Sequence, residues 1–189
     1  MLKSELRSLY RSKRQALTAQ QRLKLDDLLL IQFQKLALPP LHNILSFYPI
    51  EEKHELNTFI ITDYLQFTNP GLQVAYPKTD FTDNSMQAVV PPDEDSFAPN
   101  AWNIPEPVGG EILEPHWMDA VLVPMLTFDE KGHRVGYGKG FYDRFLRSCS
   151  PHCITIGLCY FEPVQVILDA GNYDVTLNYC ITPHQVYVF

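Results

Sequence analysis

The sequence is short of positive charge relative to negative charge, and it lacks a long apolar segment. It contains 15 Lys+Arg against 22 Asp+Glu, a formal net charge of -7. Because nucleic-acid phosphates require a basic face, this balance argues against broad nucleic-acid binding. The first residues, MLKSELRSLYRSKRQAL, are charged throughout and lack the apolar run of a signal peptide or membrane span. We therefore expect a soluble, cytoplasmic protein with no membrane partner. Such a protein could still bind a small anionic ligand where cations are concentrated locally.

The cysteines also lack the spacing of a metal or redox motif. The four of them, Cys149, Cys153, Cys159 and Cys180, form no CxxC pair. Neither a zinc knuckle nor a redox dithiol is therefore indicated, and reduced thiols in the core are expected of a cytosolic chain.

The length and composition fit one folding unit. A chain of 189 residues, 46% of them hydrophobic, can bury a sizeable core, so we expect a single domain over residues 1-189. From Leu2 to Leu17, apolar residues recur near helical spacing and predict an amphipathic helix. Thr18 and Gln21 then form a capping-box pattern, which predicts a second helix that ends before Pro39.

After the second helix the sequence pattern changes to short apolar segments, each of which is followed by a proline. They predict buried strands at residues 44–48, 72–76, 86–90 and 120–123. Helical stretches are predicted at residues 58–67 and 140–148, so strands alternate with helices. This order predicts an α/β fold with a largely parallel sheet. Residues 93–115 are rich in proline and lack apolar periodicity, which predicts a long loop.

The chemistry-bearing residues are densest in VLVPMLTFDEKGHRVGYGKGFYD, residues 121–143, where a strand leads through a glycine-rich loop into a helix. Glycines allow backbone N–H groups to approach an anion, and a helix N-terminus adds a favourable dipole. Arg134 and Lys139 add two cations, so the segment is a candidate phosphate site. A plain tight turn is the alternative. The segment is neither a Walker loop, since Gly140 follows Lys139, nor a GxGxxG dinucleotide fingerprint.

The order VPxLxFD followed by GYGKGFYD strongly resembles the signature of the 5-formyltetrahydrofolate cyclo-ligase family, also called methenyltetrahydrofolate synthetases. Other segments match in the family's order: Lys3-Ser-Glu-Leu-Arg7, Phe47-Tyr48 to Glu55-Leu-Asn-Thr58, and Trp102-Asn-Ile-Pro-Glu-Pro107. The resemblance implies a Rossmann-like three-layer α/β/α sandwich with N-terminal helices. It also implies an enzyme that uses ATP and Mg²⁺ to convert 5-formyltetrahydrofolate into 5,10-methenyltetrahydrofolate, with release of ADP and phosphate. In this reaction ATP phosphorylates the formyl oxygen and N10 then attacks the activated carbon.

The resemblance also implies which residues bind ATP. Lys3 and Arg7 would contact its phosphates, and their i, i+4 spacing places both on one face of a helix. A solvated helix face is the structural alternative for that pair. Catalytic roles fall to Lys139 and Arg134, with Lys139 stabilising charge on the formyl oxygen. The nucleotide would be wrapped by Arg134, Gly136, Tyr137, Gly138, Lys139, Gly140, Phe141 and Tyr142.

Metal and folate residues follow from the same resemblance. Asp143 and Asp174 would hold Mg²⁺, although a helix-surface position and an Asx-turn are their structural alternatives. Glu55 would accept hydrogen bonds from the pterin edge, with Glu52 as the alternative because the loop is one residue longer than the family form. Tyr48 and Trp102 would flank the folate unless they only pack in the core. The formyl end would be bordered by Tyr137, Gly138, Lys139, Gly140 and Phe141.

Two other functions remain open at this level. A small-molecule kinase could use the same phosphate loop on another acceptor, and a folate- or nucleotide-binding protein could have lost turnover. Small-molecule substrates and a monomeric state are expected in the favoured interpretation.

Overall fold

A computed structural model describes residues 1–189. Four α-helices are present: α1, Lys3–Gln15; α2, Ala19–Phe33; α3, Phe59–Thr68; and α4, Phe141–Ser148. Twelve short strands accompany them: β1, Asn43–Leu45; β2, Gln73–Asp80; β3, Ser85–Val90; β4, Phe97–Pro99; β5, Pro105–Pro107; β6, Glu111–Leu113; β7, Ala120–Val123; β8, Thr127–Phe128; β9, Arg134–Val135; β10, Ile154–Leu158; β11, Tyr179–Ile181; and β12, Val186–Val188. None of the helices combines the length and the apolar composition that a membrane crossing requires.

Eight of the strands form one mixed sheet in the order β12-β11-β10-β7-β1-β2-β3-β6. From β11 to β2 every neighbouring pair is parallel, which confirms the predicted parallel sheet at its centre. Both edges are antiparallel, because β3 turns back along β2 and β12 turns back along β11. The carboxyl ends of the parallel strands therefore share one edge, where ligands commonly bind in open α/β sheets.

The helices cover both faces of this sheet and confirm the predicted three-layer sandwich. Successive strand residues point to opposite faces, so Ile44 and Leu45 in β1 belong to two different hydrophobic clusters. One cluster packs α2 and α3 against the sheet and the other packs α4 against it. Strands buried on both faces must be apolar throughout, which explains the uninterrupted runs in the sequence.

The predicted N-terminal helices are confirmed, with small changes at their ends. The Thr18 hydroxyl accepts a hydrogen bond from the Gln21 amide at 3.2 Å, as the capping-box pattern predicts. Helix α1 packs through Leu6 and Tyr10 against a third, smaller cluster that includes Val135 of β9. This contact holds the polar face of α1 beside the glycine-rich loop.

Three features of the strands were not predicted. Strand β2 continues through Pro77 to Asp80, although the sequence indicated an end at Tyr76. Beyond Ala75 only β3 pairs with β2, so the missing N–H of Pro77 interrupts no second ladder. Residues 93–115 were predicted as loop but contain the three-residue strands β4, β5 and β6. The C-terminal strands β10, β11 and β12 were also missed, and the last two are too short to show periodicity.

The glycine-rich loop between β9 and α4 depends on backbone conformations that other residues adopt rarely. Gly138 has φ +95° and Gly140 has φ +72°. A Cβ atom at Gly138 would lie 3.1 Å from Nη2 of Arg7 on α1. A side chain at this position would therefore press against the Arg7 guanidinium, which would have to shift by a few tenths of an ångström.

This close approach makes a prediction for Gly138→Ala. The positive φ and the contact with Arg7 should together lower the free energy of unfolding by about 1–2 kcal/mol. Gly171→Ala is the control, because its φ is ordinary and no atom lies within 4 Å of the added methyl; its unfolding free energy should fall little or rise slightly. Urea denaturation measures both changes. Equal effects of the two substitutions would contradict this account of the loop.

Candidate active site

A cavity of about 660 Å³ lies at the carboxyl edge of the parallel strands. Phe47 and Tyr48 follow β1, and Pro124 follows β7, at the point where these strands end. Its size is suited to a small organic ligand. Its walls come from α1, the loop after β1, β2, the segment around β5, and the glycine-rich loop with the start of α4.

The cavity brings together all the site residues predicted from the sequence. Its lining includes Lys3, Arg7, Tyr48, Glu55, Trp102, Arg134, Gly136, Tyr137, Gly138, Lys139, Gly140, Phe141, Tyr142, Asp143 and Asp174. These residues are spread over 172 positions of the chain, from residue 3 to residue 174, so only the fold unites them. Their individual roles stay predictions.

One end of the cavity is strongly cationic, and each cation there has a partner. Lys3 Nζ lies 2.5 Å from Oδ2 of Asp174. Arg7 donates from Nε to the Gly136 carbonyl oxygen at 2.9 Å. Arg134, which is only 7% exposed, donates to Oδ1 of Asp143 at 2.8 Å and to a backbone carbonyl. The cations are thus fixed around the glycine-rich loop.

The two aspartates at this end accept hydrogen bonds from neighbouring cations and backbone amides. Partial burial acts to raise the pKa of Asp174, but hydrogen bonds from Lys3 and the Gly171 amide, with the charges of Lys3 and Arg134, hold that pKa below its ordinary value. Asp143 accepts hydrogen bonds through Oδ1 from Arg134 and from the Val175 amide at 2.9 Å. Both bonds use Oδ1, so Oδ2 of Asp143 is left for a cation.

This donor set fits a magnesium ion that is bound together with phosphate. Mg²⁺ in nucleotide sites commonly takes one or two carboxylates and completes its shell with phosphate oxygens and water. Asp143 and Asp174 supply such carboxylates on one cavity. No group of three or more His, Cys, Asp or Glu side chains is arranged to hold a metal, so phosphate would have to supply further oxygens.

Another part of the cavity carries the buried carboxylate of Glu55, and several aromatic side chains also line the cavity. Glu55 accepts a hydrogen bond from the Ile50 amide at 2.9 Å through Oε2, and Tyr137 donates its hydroxyl proton to Oε1. Tyr48 packs against the Phe97 ring, with 4.9 Å between ring centroids. Glu52, the alternative to Glu55, is exposed and does not line the cavity.

Trp102 and Lys139 meet at the rim of the cavity. The Lys139 ammonium lies 5.3 Å from the centre of the Trp102 ring, and Phe81 packs on the same ring at 5.6 Å. Trp102 is 58% exposed. It is therefore not a core anchor, and its ring is available to a ligand that enters beside Lys139.

Several lining residues were missed by the sequence analysis. Arg11 continues the i, i+4 spacing of Lys3 and Arg7 along α1, so helical periodicity alone could have identified it. Lys53 and Glu106 lie outside helices of useful length, and no pattern in the sequence connects them with the cavity.

Comparison with known proteins assigns the family. A model of the 5-formyltetrahydrofolate cyclo-ligase family matches residues 1–183. The 5-formyltetrahydrofolate cyclo-ligase of Mus musculus is 31% identical over 190 residues, which cover 93% of this chain and 91% of the mouse protein. The enzyme of that name from Mycoplasma genitalium is 35% identical over 69 residues, but this match spans only 36% of the chain and 42% of the relative.

Solved structures agree with the observed architecture. The 5,10-methenyltetrahydrofolate synthetase of Aquifex aeolicus, determined by NMR, superimposes with a TM-score of 0.79 at 26% identity, over 100% of this chain and 93% of that one. The Mycoplasma pneumoniae synthetase has a TM-score of 0.73 at 24% identity, over 96% and 98%, and supports the fold. From the family match, the mouse relative and the shared fold together, we conclude that this chain belongs to the 5-formyltetrahydrofolate cyclo-ligase family.

Proposed function

We propose that the protein converts 5-formyltetrahydrofolate into 5,10-methenyltetrahydrofolate at this cavity, with ATP and Mg²⁺, and releases ADP and phosphate. The proposal rests on one observation: a cationic glycine-rich loop, a buried carboxylate and several aromatic rings line the same cavity. The first part suits a nucleotide and the second suits a reduced folate. Family membership makes this pair of substrates the favoured one.

The nucleotide phosphates bind, in this proposal, at the cationic end of the cavity, to whose wall α1 and the glycine-rich loop both contribute. Lys3, Arg7 and Arg134 supply the positive charge there. The positive φ of Gly138 and Gly140 shapes a loop that brings backbone close to the cavity at the start of α4. Asp143 and Asp174 would hold a bound Mg²⁺, and the ion would supply positive charge to offset that of the phosphates.

The folate occupies the aromatic part of the cavity. A carboxylate can accept two parallel hydrogen bonds from an amino-amide edge, and Glu55 supplies such a carboxylate to the pterin. Both Glu55 oxygens already accept one hydrogen bond from the protein, and each keeps a second lone pair for the ligand. Tyr48 flanks the pterin, and Trp102 covers the ligand at the rim.

The chemical steps follow from this placement. A bond forms between the formyl oxygen and the γ-phosphorus of ATP while the bond from that phosphorus to ADP breaks. N10 then attacks the formyl carbon and loses its proton, and the carbon–oxygen bond breaks to release phosphate. Negative charge is present on the transferred group throughout, so Lys139 and Arg134 stabilise it as donors fixed in advance. The remaining side chains orient the two substrates.

We propose that the protein acts in the cytoplasm as a monomer on small molecules and binds no nucleic acid, in keeping with its net charge of -7.

Incubation of the purified protein with 5-formyltetrahydrofolate, ATP and Mg²⁺ tests the reaction directly. The near-ultraviolet absorbance of the methenyl product should appear, with ADP and phosphate formed in equal amounts. Omission of any one component should abolish the signal, because both substrates and the metal act in the same step. ATP consumption with a stable phosphorylated product would favour a kinase. Binding of both ligands without turnover would favour a binding protein.

Replacement of Lys139 tests the cation beside the transferred group. Lys139→Ala should lower kcat by about 100-fold or more while folate affinity changes far less, since the ammonium acts mainly in the transition state. Lys131→Ala removes an exposed lysine from the turn between β8 and β9, outside the cavity, and should leave kcat unchanged. Steady-state kinetics on both variants provide the measurement. A normal kcat for Lys139→Ala would refute its proposed role.

Asp143→Asn tests the metal ligand. The Mg²⁺ concentration for half-maximal activity should rise by about tenfold or more, because a hard anionic ligand becomes neutral. Asp63→Asn makes the same exchange on an exposed position of α3 and should not shift the Mg²⁺ dependence. If titration with Mg²⁺ gives the wild-type midpoint for Asp143→Asn, this residue only orients Arg134.

A further inference from the structure

Arg14, near the end of α1, is a buried charge that belongs to none of the motifs described above. It is 6% exposed and does not line the main cavity. A buried cation requires an explanation, because removal of a charge from water costs free energy unless close partners compensate.

The partners of Arg14 are two residues of the candidate active site. Its Nη2 atom donates to the Tyr137 hydroxyl oxygen at 2.5 Å and lies 3.8 Å from Oε1 of Glu55. The Tyr137 hydroxyl in turn donates to the same Glu55 oxygen. Arg14, Tyr137 and Glu55 come from α1, the glycine-rich loop and the loop after β1. One buried network therefore ties together three walls of the cavity.

The direction of these hydrogen bonds is determined by chemistry. Burial and then the negative charge of Glu55 raise the pKa of Tyr137, so its hydroxyl stays protonated. A guanidinium has no acceptor, so this proton can be directed only to the Glu55 carboxylate. The Tyr137 hydroxyl thus links Arg14 to Glu55: it accepts a hydrogen bond from the guanidinium and donates one to the carboxylate. Glu55 must remain an acceptor in order to receive hydrogen bonds from a pterin.

The loop that carries Glu55 is also attached to the end of α1. Gln15 donates to the Glu52 carbonyl oxygen at 3.0 Å, and a His54 ring nitrogen lies 3.3 Å from the Arg14 carbonyl oxygen. The backbone around Glu55 is thereby held beside the Arg14 side chain. Orientation of the carboxylate and of its loop depends on the same helix.

Stability alone does not account for this arrangement. Arg14 Nε is buried without a hydrogen-bond partner in the protein, and such an unsatisfied donor costs about 1–3 kcal/mol. Buried ion pairs commonly contribute little more to stability than apolar side chains of the same volume. We therefore attribute the presence of Arg14 to a role in the site whose residues it contacts.

We propose that Arg14 is a positioning residue which, through the Tyr137 hydroxyl, holds the Glu55 carboxylate in a fixed orientation as an acceptor for the amino-amide edge of the folate. This inference rests on the proposed function. It assigns Arg14 to folate recognition, in contrast to Lys3 and Arg7 of the same helix, which face the nucleotide.

Arg14→Met tests the proposal, since methionine fills much of the buried volume without charge or donors. The dissociation constant of 5-formyltetrahydrofolate, measured without nucleotide by calorimetry, should rise by about 10- to 100-fold. The affinity for a non-hydrolysable ATP analogue should change by less than about threefold. Lys13→Met, which removes the adjacent exposed cation of α1, should alter neither affinity.

A second measurement separates positioning from a general effect on folding. In a Glu55→Gln background, Arg14→Met should weaken folate binding by less than about twofold further, because the carboxylate that it orients is gone. If Arg14→Met does not fold, Arg14→Lys replaces it. That variant retains the charge but not the forked donor, and should give a smaller loss, about three- to tenfold, again confined to folate.

The outcomes distinguish this inference from the proposed function. Unchanged folate affinity in both Arg14 variants, or a parallel loss of folate and nucleotide affinity, would overturn the inference while methenyl formation by the wild-type protein still supports the reaction. A wild-type protein that binds no 5-formyltetrahydrofolate overturns both. A selective folate loss that disappears in the Glu55→Gln background supports the role of Arg14.

Discussion

The candidate site depends on keeping several cations close together before an anionic ligand is bound. Lys3, Arg7 and Arg134 face one cavity, and like charges repel strongly where water is partly excluded. Asp143 and Asp174 offset this repulsion, at 2.8 Å from Arg134 and 2.5 Å from Lys3. The same two carboxylates are the proposed metal ligands. In that proposal, the nucleotide phosphates become the new partners of Lys3 and Arg134, and Mg²⁺ becomes the new partner of the two aspartates. Ligand binding therefore replaces one set of ion pairs with another and leaves no charge unpaired.

Helix α1 links this electrostatic arrangement to the core. Its apolar face, with Leu6 and Tyr10, packs against β9 and neighbouring residues. This contact fixes the position of the helix relative to the glycine-rich loop. Its polar face then carries Lys3 and Arg7 into the cavity and Arg14 beneath it. A shift of one helical turn would move each cation by about 5 Å. Core packing and ligand recognition are therefore set by the same helical register.

Much of the fold could be predicted because strong local patterns agree with the tertiary structure. The capping box at Thr18 and the fully apolar run of β7 each specify one element without help from distant residues. Prediction failed where tertiary contacts decide. Pro77 continues a strand because its missing N–H faces no second neighbour, a fact that depends on where β1 ends. Three-residue strands such as β11 exist only because a neighbouring strand pairs with them.

The same division applies to the site. Motifs were sufficient to select residues that line one cavity, although they could not decide between Glu55 and Glu52. That choice depends on the short 3₁₀ turn at Glu51–Lys53, after which Glu55 points inward and Glu52 stays exposed. Periodicity places both Arg11 and Arg14 near the polar face of α1, yet it does not show that Arg14 is buried against Tyr137. Only the approach of the glycine-rich loop does so. A charge on a helix thus acquires its role from the segment that covers it, and sequence spacing alone does not identify that segment.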